Sequence, residues 1–154
     1  MKNTLPFIAI IASAAFVGNM INIGLSYGVH WLSLDPIVFM KTFNVDFPLL
    51  LGPTSVTLIP AFIATLSLFL LTKGNELARR YYLYAFIGLL LTIVITAIYH
   101  LPMNLDFMEL KYSAAEATSK LQGWILLHWV RVIVAIVATV FAILGFKKSA
   151  IAPY

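Results

Sequence analysis

The sequence contains no cysteine among its 154 residues, and only 10% of its residues are charged. The lack of cysteine excludes disulfide bonds, thiolate metal sites and cysteine nucleophiles. The formal net charge is only +4, and no run of basic residues resembles a nucleic-acid patch. We therefore expect no nucleic-acid partner, and any chemistry must rest on other side chains.

Hydrophobic residues, by contrast, make up 62% of the chain. A soluble domain of this length could not bury so much apolar surface, so we expect the protein to lie in a bilayer. A membrane span needs about 20 predominantly apolar residues, and four stretches qualify: residues 5–29, 48–72, 81–102 and 123–146. The first continues well past the "ASA" that could end a signal peptide, so we interpret it as a span. The expected fold is all-α, a single domain over residues 1–154 that forms an integral membrane four-helix bundle.

Basic residues predict the orientation of this bundle. With four spans, both termini and the middle connection share one side, which carries six Lys and Arg: Lys2, Lys73, Arg79, Arg80, Lys147 and Lys148. The other side carries three: Lys41, Lys111 and Lys120. The positive-inside rule then places both termini in the cytoplasm of a multi-pass protein of the plasma or inner membrane.

The two longer connections are expected on the outer side, and both have features of short helices. Asp35 can cap a helix whose first residue is Pro36. Asp106 and Glu109 have a spacing similar to that of a capping box. Three tryptophans are also expected near this side, where an aromatic belt would explain at least one of them: Trp31, Trp124 and Trp129.

The fourth span carries a stripe of polar and small residues on one helical face. The stripe consists of Trp124, His128, Arg131, Ala135, Ala138 and Ala142. Small residues let helices approach closely in lipid, and ionisable groups in a span are costly. We therefore predict that His128 and Arg131 point into the bundle. The alternative is that Arg131 extends back to the outer headgroups.

The other spans also become polar toward the same side. One face of the first span carries Ala12, Ala15, Asn19, Asn22 and Ser26. The second span has Thr54 and Thr57. The third span has Thr92, Thr96 and His100, with Asn104 one turn further along. Together they predict a polar pocket that opens outward. The alternative for Asn19, Thr92 and Thr96 is helix-to-helix hydrogen bonding worth about 0.6 kcal/mol each.

All three histidines of the sequence are expected near the outer side. Imidazole suits zinc, copper and iron, and two histidines could ligate a haem. No two of them share a helix at metal-ligand spacing, so we favour no metal. If a metal or haem binds, we expect its ligands among His30, His100 and His128, with Asp35 and Glu109 as the nearby carboxylates.

Two motifs in the second half resemble the anthrone oxygenase-like family of small four-helix membrane proteins. "YHLPMN" ends the third span and "WILLHWVR" opens the fourth, similar to the P-x-N and W-x-x-L-H-x-x-R of that family. The matching residues are Pro102, Asn104, Trp124, Leu127, His128 and Arg131. The resemblance implies an oxidoreductase, a monooxygenase that converts an anthrone to an anthraquinone with molecular oxygen and with no metal or flavin cofactor.

Under this hypothesis, the substrate is a small lipophilic anthrone, phenol or quinol. His128 would be the general base, because an unperturbed imidazole has a pKa of about 6.5. Arg131 would stabilise the developing oxyanion, and Asn104 would orient the substrate or the imidazole. The expected substrate-binding residues are Trp124, Tyr99, Tyr27, Asn22 and Ser26.

Two other hypotheses stay open. The first is a metal- or haem-binding membrane protein that uses the outer histidines. The second is a non-catalytic protein that binds a lipid or small molecule, in which an anionic group of the ligand neutralises Arg131. The second hypothesis fails if Arg131 pairs with Asp35, Asp106 or Glu109 in the empty site.

Overall fold

The structure, a computed structural model, describes residues 4–151; Lys2, which entered the orientation argument, lies outside them. The described chain forms four long helices: α1 (Leu5–Ser33), α2 (Pro36–Leu71), α3 (Glu76–Met108) and α4 (Ala114–Ile151). All four are long and apolar enough to cross a membrane. The predicted fold, an all-helical four-span bundle, is confirmed, whereas the cytoplasmic placement of the termini stays a prediction.

Successive helices run in opposite directions, which gives the bundle two distinct ends. The loop end holds the connections at 34–35 and 109–113, and the terminal end holds the turn at 72–75 together with the start of α1 and the end of α4. A hydrogen bond of 3.1 Å from Asn75 Nδ2 to the Lys148 carbonyl ties the turn to the last helix. The loop half of the bundle, nearer the first two connections, contains the site described below.

The helices reach further than the predicted spans, because most of the segment predicted as the first long connection is helical. Asp35 Oδ1 accepts hydrogen bonds from the backbone N–H of Ile37 (2.9 Å) and Val38 (3.4 Å). This confirms the predicted cap, with Pro36 at the first position of α2. The helix then continues through three prolines, Pro48, Pro53 and Pro60. Membrane helices tolerate internal proline because neighbouring groups satisfy the backbone atoms that proline leaves free.

The second outer connection differs from the prediction. Asp106 and Glu109 do not form a capping box; Asp106 lies inside α3, and Glu109 directly follows the helix. The box that begins α4 is formed by Ser113 and Glu116: the Ser113 N–H donates to Glu116 Oε2 at 2.9 Å, and the Glu116 N–H donates to Ser113 Oγ at 3.5 Å. A capping box begins with Ser or Thr, a requirement that Ser113 meets and Asp106 does not.

The terminal half is closely packed through small residues. A Cβ atom at Gly88 would lie 2.8 Å from the Cβ of Ala138, and one at Gly145 would lie 2.8 Å from the ring of Tyr82. Such contacts let α3 and α4 approach along their length, as small residues do in membrane bundles. The inward face predicted for α4 is confirmed, because every residue of its stripe is buried.

The inward face predicted for α1 is wrong. The buried residues of α1 include Ala9, Ser13, Phe16, Met20 and Ile23, whereas Ala15, Asn22 and Ser26 are exposed and Asn19 is half-buried. The helix is apolar on all sides, so its few small and polar residues do not mark the buried face. A π-helical turn at Ile23–Gly28 then changes the phase of the residues that follow.

Candidate functional site

A cavity of about 110 Å³ lies in the loop half, among side chains from all four helices. Most of its lining is apolar or aromatic and includes Trp31, Phe47, Leu50 and Trp124. Five polar side chains complete it: Thr54, Thr96, His100, Asn104 and Arg131. The cavity is therefore an apolar chamber with a few polar groups, a composition that is common in small-molecule pockets.

Arg131 contributes a buried cation to this cavity, since only 8% of the residue is exposed. Its Nη1 donates to Thr96 Oγ1 at 2.7 Å and its Nη2 donates to His128 Nδ1 at 2.9 Å. Its Nε has no hydrogen-bond partner among the described residues. The ion pairs within residues 4–151 are Arg79–Glu76 and Lys111–Asp106, so no carboxylate in this part of the chain neutralises Arg131. The side chain points inward and does not extend to the headgroups.

His128 is fully buried behind the guanidinium. Its Nε2 lies 2.8 Å from the Met20 carbonyl oxygen. A carbonyl can only accept and a guanidinium can only donate, so Nε2 carries the proton and the lone pair of Nδ1 accepts from Arg131. Both ring nitrogens are engaged, and His128 links the backbone of α1 to the cation. Gly24 makes room first for Trp129 and then for this imidazole, because a Cβ there would lie 2.8 Å from Trp129 Cζ2 and 3.3 Å from His128 Cδ2.

Trp124 forms the wall next to His128. The indole lies parallel to the imidazole, with ring centroids 5.1 Å apart and an interplanar angle of 5°. Its Nε1 donates to Asn104 Oδ1 at 2.7 Å, and Asn104 is itself 3% exposed. Four predicted residues, Asn104, Trp124, His128 and Arg131, are thus joined in one chain of contacts.

His100 also packs against the same indole. It is 1% exposed, its Nε2 is 3.2 Å from the Trp124 carbonyl oxygen, and its ring centroid is 5.1 Å from that of Trp124. His100 ends a π-helical turn at Thr96–His100. Pro102 follows, and its missing N–H disturbs the hydrogen-bond ladder at this point. π-helical turns occur frequently at functional sites.

Four of the predicted substrate-binding residues do not line the cavity. Tyr99 and Tyr27 are half-buried and pack against the aromatic residues around Trp31 and Trp124. Asn22 and Ser26 are exposed, and Ser26 Oγ donates to Asn22 Oδ1 at 3.0 Å. Only Trp124 of the predicted set of five lies at the cavity wall.

The histidines do not form a cluster. Within residues 4–151, no group of three His, Asp or Glu side chains is placed to hold a metal ion. His30 is exposed, while His100 and His128 are buried and each packs against Trp124. Whether a metal or a haem binds stays a prediction.

The sequence reasoning missed Trp31 as a residue of the site, together with its hydrogen-bond partner Asp46. Trp31 is 1% exposed, and its Nε1 donates to Asp46 Oδ2 at 2.9 Å. Its ring meets that of Trp124 edge-on at 5.6 Å. Burial of Trp31 and Trp124 rules out an aromatic belt as the explanation for either. The sequence did contain a signal for this contact, because Asp46 is a lone carboxylate close to an apolar run.

The cavity is also close to the lipid-facing surface between α2 and α3. Leu51 and Leu101 line it, and these two side chains are 48% and 45% exposed on the outside of the bundle. A lipid-soluble molecule could therefore reach Arg131 laterally, from the hydrocarbon phase. The arrangement can bind a flat apolar ring against Trp124 and place a negatively charged oxygen at a guanidinium.

Comparison with known families gives one match. The family model described as Anthrone oxygenase matches residues 39–141, which is most of the chain. The match includes Asn104, Trp124, His128 and Arg131, and it leaves out all of α1. No curated protein and no solved structure matches the chain.

Proposed function

The chain belongs to the anthrone oxygenase family, and we propose that it is a membrane-embedded oxygenase, a monooxygenase that acts on a small lipophilic anthrone, phenol or quinol. The observation that carries the proposal is Arg131, a buried cation with no carboxylate partner in the described residues. It lies at a cavity walled by Trp31 and Trp124. A substrate that becomes an anion during the reaction supplies the missing negative charge.

Arg131 is the proposed oxyanion site. A buried charge is expensive unless it is paired and hydrogen-bonded, and here Thr96 and His128 hold two of the guanidinium nitrogens while Nε stays free. The group is therefore oriented before the substrate arrives. A fixed charge acts strongly in a water-poor site, and loss of one such donor typically costs about 100- to 1,000-fold in rate.

The proposed reaction begins with removal of a proton. For an anthrone, the ring methylene loses a proton, and the electron pair is delocalised onto the carbonyl oxygen, which Arg131 binds. The electron-rich anion then reduces O₂. One oxygen atom becomes the new carbonyl of the anthraquinone and the other leaves as water, so the two methylene hydrogens and both oxygen atoms are accounted for. This chemistry requires a base and an oxyanion site.

His128 and Asn104 are the other proposed catalytic residues. The sequence predicts His128 as the base, but its lone pair accepts from Arg131 in this structure. We therefore assign His128 first to holding the guanidinium; it becomes basic toward substrate only if that hydrogen bond opens. Asn104 and Trp124, joined by a hydrogen bond of 2.7 Å, orient the ring that enters the cavity.

Cavity size bears on the substrate. The volume of about 110 Å³ is less than the roughly 150 Å³ of an apolar cavity that takes up benzene. One aromatic ring therefore fills the chamber after a small movement of its walls. A three-ring substrate would place its reacting part beside Arg131 and extend past Leu51 and Leu101 toward lipid.

The proposed location follows from the basic residues. Their excess at the terminal end supports an orientation with both termini in the cytoplasm. The loop half, with the cavity, then lies in the non-cytoplasmic leaflet of the plasma or inner membrane. Lipophilic substrate and product would exchange with that leaflet directly.

The test is turnover by the purified protein in detergent. Anthrone is supplied in air, O₂ uptake is followed with an electrode, and anthraquinone is followed by its absorbance. We expect one O₂ consumed per anthraquinone, well above the spontaneous rate. Turnover no faster than that without protein, across anthrones, phenols and quinols, would contradict the proposal. An absorption spectrum and a metal analysis of the same sample test the metal or haem alternative. A Soret band, or one metal ion per chain, would favour that alternative.

A non-catalytic binding protein is the second candidate, and the same cation favours it. Arg131 pairs with none of Asp35, Asp106 and Glu109, which is the arrangement that this hypothesis required. Tight binding of an anionic naphthol, measured by quenching of tryptophan fluorescence and without O₂ uptake from any substrate tested, would support it over the oxygenase.

A further inference from the structure

The two buried histidines of the site differ in what their nitrogens contact. His128 has both nitrogens engaged, one with the Met20 carbonyl and one with Arg131. His100 has Nε2 at the Trp124 carbonyl, and its Nδ1 has no hydrogen-bond partner within residues 4–151. The carbonyls near the His100 ring, those of Trp124 and Ile95, cannot donate a proton to it.

We propose that His100 is the catalytic base of the reaction proposed above, accepting the substrate proton at Nδ1 while Arg131 binds the oxyanion. The inference rests on the proposed function and adds a catalytic residue to it. Both side chains line the same cavity, whereas His128 does not line it. The substrate class that fits is an aromatic compound with an acidic O–H, or with an acidic C–H that is conjugated with a carbonyl through the ring system.

The hydrogen bond at Nε2 determines which nitrogen is basic. A histidine that donates from one ring nitrogen to a carbonyl holds its lone pair on the other. In His100 that nitrogen is Nδ1, buried in a residue 1% exposed and without a donor. A buried polar atom left unsatisfied is costly. A substrate that brings a proton to this position removes the cost.

The π-helical turn explains how the base and the cation are brought together. Thr96 begins the turn and His100 ends it. Thr96 Oγ1 accepts from Arg131 Nη1 at 2.7 Å, so one turn of α3 both holds the cation and carries the base. A shift of this turn would move both groups with respect to the substrate, which gives the irregular backbone a functional reason.

The proton and the electrons can be followed through the step. The C–H bond of an anthrone methylene breaks, the proton goes to His100 Nδ1, and the electron pair passes into the ring system and onto the oxygen at Arg131. O₂ is the oxidant. It bonds to the carbon that lost the proton as a peroxide, which takes up the proton of the imidazolium. Loss of the second methylene proton then breaks the O–O bond and forms the new carbonyl, and the outer oxygen atom leaves as water with both protons.

Few other charged or titratable groups near His100 can affect how the reaction rate depends on pH. Arg131 and His128 face it from α4, and Tyr99 lies beside it on its own helix, with ring centroids 5.5 Å apart. The cavity residues from α1 and α2 carry no titratable side chain. A change in the pH profile on replacing His100 can therefore be compared directly with the effect of replacing His128.

The test replaces His100 by Gln, whose amide N–H can still donate to the Trp124 carbonyl but which has no basic lone pair. His30→Gln is the matched control, because His30 is exposed and lies outside the cavity. The first readout is anaerobic exchange of the anthrone methylene protons with D₂O, which reports proton transfer without oxidation. We expect wild type and His30→Gln to catalyse the exchange and His100→Gln to lose it.

The second readout is aerobic turnover across pH. We expect kcat of His100→Gln to fall by about 100- to 10,000-fold, the usual contribution of a positioned base, with KM close to wild type. The rise in rate from acid toward neutral pH should also disappear. His100→Asn serves as the second variant if thermal unfolding shows that His100→Gln does not fold.

The outcomes separate this inference from the proposed function. If His100→Gln turns over at the wild-type rate, with unchanged proton exchange and an unchanged pH profile, the role of His100 is overturned but the proposed function is not. Loss of the acidic limb in His128→Gln but not in His100→Gln would have the same consequence. Absence of turnover by wild type would overturn the oxygenase proposal, and the assignment of His100 would fall with it.

Discussion

Two hollows of the bundle differ in size and chemistry. The apolar groove, which is lined by residues including Tyr84, Gly88, Leu91, Ile133 and Phe141, has a volume of about 420 Å³, whereas the cavity at Arg131 has about 110 Å³. The groove lies on the outside of α3 and α4, where side chains such as Ile133 are 60% exposed. The smaller cavity holds the buried cation Arg131 and the polar side chains around it. Volume alone would therefore identify the groove, and not this cavity, as the candidate site.

Their difference shows what marks a site in a membrane protein. Lipid chains fill an apolar groove as well as another helix would, so an exposed groove calls for no specific ligand. A cation buried in hydrocarbon does call for one. Each substitution below changes either the cavity or the groove, and the measurement shows whether activity or stability changes.

The largest effect is expected from Arg131→Gln. Loss of the charge removes the oxyanion site, so kcat/KM for an anthrone should fall by about 100- to 1,000-fold. Arg80→Gln is the control, because Arg80 is exposed at the terminal end. Steady-state O₂ uptake measures both variants. An Arg131→Gln protein within threefold of wild type would remove Arg131 from the mechanism.

Gly88→Val should act on stability and leave the chemistry alone. Its Cβ would lie 2.8 Å from that of Ala138, and overpacking of this kind costs about 1–3 kcal/mol. Gly18→Val is the control, since nothing lies within 4 Å of a Cβ there. Unfolding by denaturing detergent gives the loss, and O₂ uptake per folded molecule should stay at the wild-type value. Equal stability of the two variants would show that α3 and α4 are not closely packed at Gly88.

A smaller effect is expected from Trp124→Phe. The phenyl ring can still pack against His128 but cannot donate to Asn104 Oδ1, and a hydrogen bond of this kind contributes about 1 kcal/mol. We expect KM to rise about fivefold with little change in kcat. Trp129→Phe is the control, because the indole N–H of Trp129 makes no hydrogen bond within the described chain. The same KM in both variants would mean that the Trp124–Asn104 bond does not position the substrate.

The smallest effect is expected from Ile133→Ala in the apolar groove. The side chain faces lipid, so kcat/KM should stay within about twofold of wild type, as for most exposed positions. A drop comparable with that of Trp124→Phe, in the same steady-state assay, would bring the groove into substrate binding.

The buried face could be predicted from the sequence for α4 but not for α1. In α4, alanines alternate with bulky residues and Arg131 marks the inward side, so the buried face could be identified by helical periodicity alone. In α1, every side is apolar and no charge marks a face. Its buried residues mix large and small side chains, Phe16 and Met20 with Ala9 and Ser13, and a π-helical turn adds a further shift.

The site shows a similar limit. Its motif residues Asn104, Trp124, His128 and Arg131 were predictable as a group. The partner of His128 was not, because it is the backbone carbonyl of Met20, and a carbonyl is present at every position of the chain. His100 was visible as a histidine at the end of a span, but its free Nδ1 depends on how α3 and α4 meet at Trp124.

The most direct test of the central claim, that substrate binds in the cavity at Arg131, is to locate a bound analogue. An anthraquinone bearing a diazirine is photocrosslinked to the purified protein in lipid nanodiscs, and the labelled residues are identified by mass spectrometry. We predict label on Leu50, Leu51 or Leu101, which is lost when unlabelled anthraquinone competes. Label confined to residues 133–141 of the apolar groove would contradict the account.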